Sequence, residues 1–546
     1  MKRAWLSALV AWSLPLSGQA AAPVKPKLIV VISVDQFSAD LFAEYRQTYV
    51  AGMKRLANGV VFPSGYQSHA ATETCPGHST ILTGSHPART GIIANEWIDY
   101  GVVRGKAGGH TVYCAEDERQ PGTTSSSADY VVSPIHLRVP TMGDRMKRAD
   151  PRSRVVSVAG KDRAAVMMGG HMTDAIWYLD PKKGASYVTL SDRDQALPPI
   201  VQQVNDRVAG LIAKPVTSAL PPSCAAKSVP LKVGADGPIV GVLTNPKDSF
   251  RTTPDFDRAT ADIAIGLLRS MQLGRGPAPD LLAIGLSAND YIGHAFGTEG
   301  AEMCTQQAAL DQTVGRILAA LDATGVPYAV VLTADHGGYD VPERHAQRGV
   351  PEAGRLDPKF NLDEIGRELV AEFKLDLDGK TLLEGAPQGD VYLSHAVPIE
   401  LRPQLLAAAK AKILAFPQIE AVLTADEIAN TAAPRPPVDD WTLFEKARAS
   451  YDRTRSGDLL VFLRPRVLAD LPRPGRTTTH GSPWNYDRRV PMLFAYPGMI
   501  PHEEPLSVET VDILPTLAAL IDLKIPKEEI DGRCLDLDAG PGDTCP

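Results

Sequence analysis

The 546-residue sequence lacks an excess of basic residues, and this absence argues against one class of partner. It contains 56 Lys and Arg against 64 Asp and Glu, which gives a formal net charge of −8. A domain that binds nucleic acid normally carries a basic patch or stripe, so we expect no nucleic-acid-binding surface. No internal repeat stands out either, and the 44% hydrophobic content is ample for a sizeable core.

Long apolar runs are also scarce. Residues 1–22 combine two basic residues, an apolar stretch and small residues, which is the pattern of a cleaved secretory signal. No later segment reaches the length that spans a membrane. We therefore expect a mature protein of residues 23–546 that is periplasmic or secreted and has no membrane span.

Cysteines are few, but their number is even. They are Cys75, Cys114, Cys224, Cys304, Cys534 and Cys545. In an exported chain they can form up to three disulfides, and six cysteines allow fifteen pairings, so the connectivity stays open. The simplest expectation is Cys534–Cys545 as a clip on the C-terminal tail. Cys75–Cys114 and Cys224–Cys304 would complete a local pattern.

Carboxylates and imidazoles lie beside several short apolar runs. They are Asp35 after residues 27–34, Asp290 and His294 after residues 280–286, Asp335 and His336 after residues 328–334, and His480 ahead of a run at 491–496. Strand ends at one edge of an open α/β sheet are where ligand sites usually form. Carboxylates and imidazoles are zinc ligands, and such scattered positions indicate a metal site assembled by the fold.

A hydroxyl group accompanies these candidate ligands. Thr74 opens the segment TCPGHST, in which Pro76 suits an early helical position. A helix N-terminus attracts a phosphoryl group, and a zinc-activated hydroxyl can serve as a nucleophile. Thr72 is the competing hydroxyl, and an ordinary helix N-cap is the competing role for Thr74.

Five motifs carry a resemblance to a known family. They are VDQ at 34–36, TCPGHSTILTG at 74–84, NDYIGHAFG at 289–297, TADHGG at 333–338 and HGSPWNYD at 480–487. Together they resemble the alkaline phosphatase superfamily, and within it the bacterial alkaline phosphatases with a threonine nucleophile, which are related to nucleotide pyrophosphatases/phosphodiesterases. The resemblance runs from about residue 27 to 535. It implies one α/β catalytic domain with a mostly parallel central sheet, flanking helices and insertions near 96–150, 165–255 and 340–478.

The resemblance also implies two Zn²⁺ per chain and a set of ligands. One zinc takes Asp290, His294 and His480, and the other takes Asp35, Asp335, His336 and the Thr74 oxygen. Asp290 and His294 lie four positions apart, which places both on one face of a helix. Two zinc ions can hold the attacking and leaving oxygens of an in-line displacement.

The substrate class follows from Lys161 and Arg163. Monoesterases of the resembling family carry a Lys-x-Arg pair here, whereas the phosphodiesterase branch lacks it. A monoester keeps two charges on its terminal phosphoryl group, so additional cationic donors favour it. The resemblance implies that Asn95 binds a phosphoryl oxygen too, although Asn95 also suits a turn and a Lys-Arg pair also suits a surface. The implied activity is broad hydrolysis of small phosphate monoesters through a phosphothreonine, with an alkaline optimum.

Three other functions compete with this hypothesis. They are a nucleotide phosphodiesterase/pyrophosphatase with the same metals, a phosphotransferase that moves a headgroup, and a phosphate-binding protein without catalysis. Several residues are interpreted as structural: His78 as a brace of the Thr74 turn, Asp340 as a loop carboxylate, and His345 as a histidine that matches no ligand position of the resembling family. Cys75 lacks the Cys/Ser-x-Pro-x-Arg context of a sulfatase.

Apolar periodicity predicts the main strands and helices. Strands are expected near 27–34, 154–159, 280–286, 328–334 and 491–496, and helices near 258–272, 302–323 and 508–522. Within the insertion at 340–478, the same reasoning predicts a helix at 399–415 and a strand at 458–463. Insertions of this kind usually shape the mouth of a site.

Overall fold

The computed structural model describes residues 24–102, 109–120, 130–190, 196–235, 237–243, 249–540 and 542–545. The predicted secretory signal at residues 1–22 lies outside the described residues, so it stays a prediction.

The strands and helices are numbered along the chain. The strands are β1 (Leu28–Val34), β2 (Val60–Tyr66), β3 (Glu96–Ile98), β4 (Thr111–Tyr113), β5 (Val155–Ala159), β6 (Ala175–Asp180), β7 (Ser186–Val188), β8 (Leu231–Lys232), β9 (Ile239–Val240), β10 (Asp280–Leu286), β11 (Tyr328–Thr333), β12 (Gly354–Arg355), β13 (Leu383–Gly385), β14 (Gly389–Leu393), β15 (Ile419–Thr424), β16 (Leu459–Leu463), β17 (Val467–Leu468), β18 (Arg489–Ala495), β19 (His502–Glu503) and β20 (Val508–Glu509). The α-helices are α1 (Ala39–Tyr45), α2 (Gly52–Leu56), α3 (Thr74–Thr83), α4 (Pro87–Thr90), α5 (Met142–Ala149), α6 (Asp162–Gly169), α7 (Pro199–Ala213), α8 (Pro254–Ser270), α9 (Ala288–Phe296), α10 (Ala301–Asp322), α11 (Pro342–Gln347), α12 (Leu362–Phe373), α13 (Arg402–Leu414), α14 (Ala425–Ala429), α15 (Leu443–Ser450), α16 (Asn485–Arg488) and α17 (Ile513–Leu520).

A large central sheet organises the molecule. Its strand order is β19-β2-β18-β11-β1-β10-β5-β6-β7, with β20 paired to β2. The strands from β11 to β6 run parallel, and β18 and β7 join antiparallel. The apolar run LIVVISV forms β1 and is buried along its whole length, as expected for a central strand covered on both faces. The predicted mostly parallel α/β fold is confirmed.

Two hydrophobic clusters cover the two faces of this sheet. On one face, Val30 and Ile32 of β1 share a cluster with apolar residues of α8 and α10. On the other face, Ile29 and Val31 share a cluster with residues of α3 and α17. This alternation of β1 side chains is the period-two geometry of a strand. Each face of the sheet therefore has its own core.

The predicted helix at 508–522 is wrong in its first third. Residues Val508–Glu509 form β20, a 3₁₀ turn spans Thr510–Asp512, and α17 begins only at Ile513. Pro515 fits the late start, because a proline lacks the backbone N–H and is tolerated in the first turn of a helix but not in its interior. The predicted helices at 258–272 and 302–323 are observed as α8 and α10.

The segment at 340–478 builds a second, smaller sheet. Its order is β13-β14-β16-β15, and α12 and α13 pack against it around a separate apolar cluster. The predicted helix at 399–415 and strand at 458–463 correspond to α13 and β16. The division into one catalytic domain with insertions stays a prediction.

Three disulfides connect the six cysteines. They are Cys75–Cys114, Cys224–Cys304 and Cys534–Cys545. The expected pairing is therefore the one in the structure. Cys75 lies in the first turn of α3, so one bridge ties the candidate nucleophile segment to the residue that follows β4.

Candidate active site

Three neighbouring strands deliver most of the predicted ligands to one edge of the sheet. Asp35 follows β1 directly, Asp335 and His336 follow β11, and Asp290 lies in the first turn of α9, which follows β10. Because these strands are parallel neighbours, their carboxyl ends meet at the same place. All four side chains are at most 1% exposed.

The first group of ligand candidates is Asp290, His294 and His480. The Nε2 atoms of His294 and His480 each lie 3.4 Å from Oδ1 of Asp290. Helix α9 places His294 one turn after Asp290, as the four-residue spacing predicts. His480 comes from the loop before α16 and completes the group.

The second group is Asp35, Asp335 and His336. The Nε2 atom of His336 lies 3.5 Å from Oδ1 of Asp35 and 3.3 Å from Oδ2 of Asp335. The two groups adjoin, since the rings of His336 and His480 stack with centroids 3.6 Å apart. The structure thus brings together all six carboxylate and imidazole side chains that the sequence proposes as metal ligands.

Backbone carbonyl groups orient the three imidazoles. Each ring contacts a carbonyl oxygen through Nδ1: His294 contacts Thr478 (2.9 Å), His336 contacts Gly337 (2.8 Å) and His480 contacts Thr72 (2.8 Å). A ring that donates Nδ1–H keeps its lone pair on Nε2, which is the tautomer that binds a metal. The Nε2 atom of each ring therefore faces the carboxylates.

The electrostatics of the two groups fit divalent cations. Burial, followed by repulsion from Asp335, raises the pKa of Asp35 well above its usual range. Burial lowers the pKa of His336 to about 3 and that of His294 to about 4, so both rings are neutral. Among the described residues, the buried atoms Asp35 Oδ1, Asp290 Oδ1 and His336 Nε2 have no hydrogen-bond partner. Such converging lone pairs are the donor set of a metal site.

Thr74 lies beside both groups, in the first turn of α3. Glu73 occupies the N-cap position, so the interpretation of Thr74 as an N-cap is wrong. The Thr74 hydroxyl accepts from Lys161 Nζ (3.2 Å) and from Arg163 Nη2 (3.4 Å). The competing hydroxyl of Thr72 donates instead to the carbonyl oxygen of Ser482 (2.8 Å).

Lys161 and Arg163 are not surface charges. Lys161 is 3% exposed, and its ammonium lies 2.7 Å from Asp35 Oδ2 and 2.6 Å from Asp290 Oδ2. Burial lowers the pKa of Lys161, but these two carboxylates outweigh burial and leave the pKa above its usual value. Lys161 therefore stays charged beside the Thr74 hydroxyl.

Asn95 is held by the segment that carries Thr74. Its Oδ1 accepts from the backbone N–H of Cys75 (2.9 Å), and its backbone N–H donates to the carboxylate of Glu73 (2.7 Å). With Oδ1 engaged, the Nδ2 donor of Asn95 is left for the adjoining cleft, which this residue lines.

A cleft of about 710 Å³ opens over these residues. Thr74, Asn95 and Arg163 line one side, and residues of the smaller sheet, including Asp390 and Tyr392, line another. Ligand pockets of small molecules have this size. The cleft thus lies between the central sheet and the segment at 340–478.

The residues interpreted as structural have structural contacts. His78 Nδ1 lies 2.9 Å from the carbonyl oxygen of Thr74 and 3.1 Å from Asp335 Oδ2, which fits a brace. Asp340 pairs with Arg344 (2.5 Å), and His345 contacts Glu299 (2.8 Å). Ligand atoms of Glu299, Asp340 and His345 come close together, but their arginine and histidine partners satisfy the carboxylates.

Sequence reasoning missed three tyrosines around the cationic pair. The Tyr113 hydroxyl accepts from Arg163 Nη1 (3.3 Å), and the hydroxyls of Tyr113 and Tyr130 both donate to Asp162. The ring centroid of Tyr291 lies 5.3 Å from Lys161 Nζ. Tyr291 has a signal, since it follows Asp290 within a motif; Tyr113 and Tyr130 are distant in sequence and have none.

Comparisons with known proteins identify the family of the chain. The sequence model of the family described as type I phosphodiesterase / nucleotide pyrophosphatase matches residues 29–481. Alkaline phosphatase PhoD of Zymomonas mobilis subsp. mobilis is 50% identical over 525 residues, which covers 95% of this chain and 89% of that protein. Alkaline phosphatase PhoK of Sphingomonas sp. is 50% identical over 535 residues, covering 96% and 93%.

A solved structure is similar along nearly the whole chain. The crystal structure of wild-type alkaline phosphatase PafA matches with a TM-score of 0.79 at 26% identity, and the match covers 94% of this chain and 99% of that one. Within the described residues, no helix is long and apolar enough to cross a membrane. The chain belongs to the type I phosphodiesterase / nucleotide pyrophosphatase family, within the alkaline phosphatase superfamily, and it is a phosphatase.

Proposed function

We propose that the chain hydrolyses small phosphate monoesters with Thr74 as the nucleophile and two zinc ions as cofactors. The supporting observation is the position of the Thr74 hydroxyl, which contacts Lys161 and Arg163 at the edge of the two ligand groups. Zinc ions held by these groups would lower the pKa of the hydroxyl and stabilise the leaving oxygen.

The side chains of the site have separate roles in the proposed reaction. Thr74 Oγ1 attacks phosphorus and becomes phosphorylated as the bond between phosphorus and the ester oxygen breaks, and the ester oxygen leaves as an alcohol with the proton that the threonine gives up. Water then attacks the phosphothreonine, which releases phosphate and restores the hydroxyl. Lys161, Arg163 and the Nδ2 group of Asn95 donate to the non-bridging oxygens. Arg163 offers two parallel donors, whereas Lys161 acts as a point charge, and together they favour the dianionic end of a monoester. The adjoining cleft accommodates the leaving group.

Export of the protein is part of the same proposal. Three disulfides are typical of an oxidising compartment, and residues 1–22 have the composition of a secretory signal. We expect the mature protein to be periplasmic or secreted. Sequencing the N-terminus of the protein recovered from cell fractions tests this location, and a cytoplasmic protein that retains residues 1–22 contradicts it.

The decisive experiment compares two model esters. Purified, zinc-supplemented protein is assayed on p-nitrophenyl phosphate and on bis-p-nitrophenyl phosphate. We expect a strong preference for the monoester, loss of activity in Thr74→Ala, and a weaker preference in the double variant Lys161→Ala, Arg163→Ala. Mass spectrometry after an acid quench should locate a phosphoryl group on Thr74.

One alternative function has its own support. The matching family is described as type I phosphodiesterase / nucleotide pyrophosphatase. A preference for the diester, or no effect of the Lys161 and Arg163 substitutions on the ratio of the two rates, would overturn the monoesterase proposal and favour that activity. A phosphoryl group found on Thr72 would contradict the assigned nucleophile.

A further inference from the structure

The guanidinium of Arg163 has few hydrogen-bond partners that could hold it in one orientation. It donates to the Thr74 hydroxyl (3.4 Å) and to the Tyr113 hydroxyl (3.3 Å), and its Nη1 lies 4.0 Å from Asp162 Oδ1. Its buried Nε has no hydrogen-bond partner among the described residues. An arginine side chain has many rotamers, so its neighbours must fix the planar donor pair if it is to meet two phosphoryl oxygens at once. Thr74 itself reacts, which leaves Tyr113 as the stationary hydrogen-bond partner.

The Tyr113 hydroxyl is oriented to accept from Arg163. Its proton goes to Asp162 Oδ1 (2.8 Å), so its lone pairs remain for Arg163 Nη1. Tyr130 donates to Oδ2 of the same carboxylate, and the centroids of the two tyrosine rings lie 4.8 Å apart. Asp162 therefore fixes which way the Tyr113 proton points.

The backbone at Tyr113 is tied to the nucleophile segment. Cys114 forms a disulfide with Cys75, which directly follows Thr74. Asn95 joins the same frame, since its carbonyl oxygen accepts from the N–H of Cys114 (2.9 Å) and its Oδ1 accepts from the N–H of Cys75 (2.9 Å). A displacement of Thr74 would thus carry Tyr113 with it.

We propose that Tyr113 is a positioning residue that fixes the Arg163 guanidinium relative to Thr74 and thereby sets the preference for monoesters over diesters. The proposal rests on the proposed function, because it assigns Arg163 to the phosphoryl group. Two fixed cationic donors stabilise the dianionic phosphoryl group of a monoester more strongly than the phosphoryl group of a diester, because the diester carries one negative charge fewer. If Arg163 is less well fixed, the rate of monoester hydrolysis should therefore fall more than the rate of diester hydrolysis.

The test removes one oxygen atom. In Tyr113→Phe we expect kcat/KM for p-nitrophenyl phosphate to fall about tenfold, as for loss of one hydrogen bond to a charged group, and kcat/KM for bis-p-nitrophenyl phosphate to change about twofold at most. Inhibition by inorganic phosphate should weaken in parallel with the monoester rate. The quantity compared is the ratio of kcat/KM for the monoester to kcat/KM for the diester, which Tyr113→Phe should lower. Asp162→Ala removes the acceptor of the Tyr113 proton, so it should lower this ratio too and serves as the second variant.

Two controls separate positioning from general damage. Tyr187→Phe removes a different buried hydroxyl, which contacts Thr260 (2.6 Å) between β7 and α8, and should leave the ratio unchanged. In an Arg163→Ala background, Tyr113→Phe should change the ratio by less than about twofold, because both residues act through one group.

The outcomes distinguish the two proposals. If Arg163→Ala lowers the ratio but Tyr113→Phe does not, the positioning role is overturned and the proposed function stands. An equal effect of Tyr113→Phe with and without Arg163 also overturns it. If Arg163→Ala itself leaves the ratio unchanged, both the assignment of Arg163 to the phosphoryl group and the positioning role of Tyr113 are overturned.

Discussion

Asp257 is a buried carboxylate behind the site that couples stability to pH. It is 1% exposed and accepts from the N–H of Ala288 and from Gln306 Nε2, both at 2.8 Å. Burial raises its pKa to about 6. In the unfolded chain the carboxyl group has its ordinary pKa near 4. Between these two values the native state holds the proton more tightly, so its stability falls as pH rises from about 4 to 6 and then stays level.

Asp257→Asn should remove this pH-dependent loss. The amide keeps an acceptor for the N–H of Ala288, and Gln306 Oε1, which is buried without a partner among the described residues, can accept its N–H after an amide flip. Two pKa units correspond to about 3 kcal/mol, so we expect a gain of about 1–3 kcal/mol at pH 8 and none at pH 4. Thermal denaturation at both pH values measures it; an equal shift at the two pH values would contradict the assignment to Asp257.

Side-chain type and spacing predict part of the site and leave the rest open. Ligand types at strand ends, a four-residue spacing and the resembling motifs are enough to propose Asp35, Asp290 and His294. The orientation of the His480 ring depends on its contact with the carbonyl oxygen of Thr72. The direction in which a backbone carbonyl group points cannot be predicted from a pattern of side chains. Tyr113 reaches Arg163 only because the chain folds back, so no local signal indicates it.

Helix α3 packs tightly against the loop that carries Asp335. A Cβ atom added at Gly77 would lie 1.9 Å from the carbonyl oxygen of Asp335 and 2.6 Å from its carbonyl carbon. Both atoms belong to backbone, so α3 or the loop would have to move. Gly77→Ala should therefore destabilise the protein by roughly 1–3 kcal/mol and lower activity, since Thr74 and Asp335 would separate. Thermal denaturation and initial rates on p-nitrophenyl phosphate measure the two effects.

Gly210 in α7 is the matched control. It is also a helical glycine, but a Cβ atom there would meet no atom within 4 Å among the described residues. Gly210→Ala should stabilise the protein by roughly 0.5–1 kcal/mol, because alanine loses less backbone entropy than glycine in a helix. If both substitutions shift the melting temperature in the same direction, the close approach of α3 to the Asp335 loop is not what Gly77 serves.

Strands and helices differ in how well the sequence predicts them. Buried parallel strands such as β1 and β10 are continuous apolar runs with clear ends, so their bounds agree within a residue or two. Helical periodicity also runs through Val508–Glu509, where pairing with β2 wins over helix formation. The periodicity of a short segment does not reveal such tertiary pairing, and Pro515 is the local signal for the true start of α17.

The cleft depends on how the segment at 340–478 docks on the rest of the chain. Arg455 stacks over the ring of Trp97 (4.5 Å) and donates to the carbonyl oxygen of His136 (3.0 Å). Arg138 pairs with Asp452 across the same contact. These partners lie hundreds of positions apart, so the sequence predicts an insertion near the site but not the surface that it contacts.

The two ligand groups should make the stability of the entire protein depend on bound metal. Asp35, Asp290 and Asp335 are at most 1% exposed, and the Lys161 ammonium that contacts Asp35 and Asp290 brings one positive charge against three carboxylates. Burying these carboxylates without further cations is therefore costly. Chelation should therefore lower the melting temperature, and added zinc should restore it. When free zinc is 100 times its dissociation constant, binding at one site raises the free energy of unfolding by about 2.7 kcal/mol. Asp290→Asn should reduce the metal content, whereas Glu299→Gln, in the group that arginine and histidine already satisfy, should leave it at the wild-type value. A melting temperature indifferent to chelator and zinc would show that the carboxylates are balanced without metal.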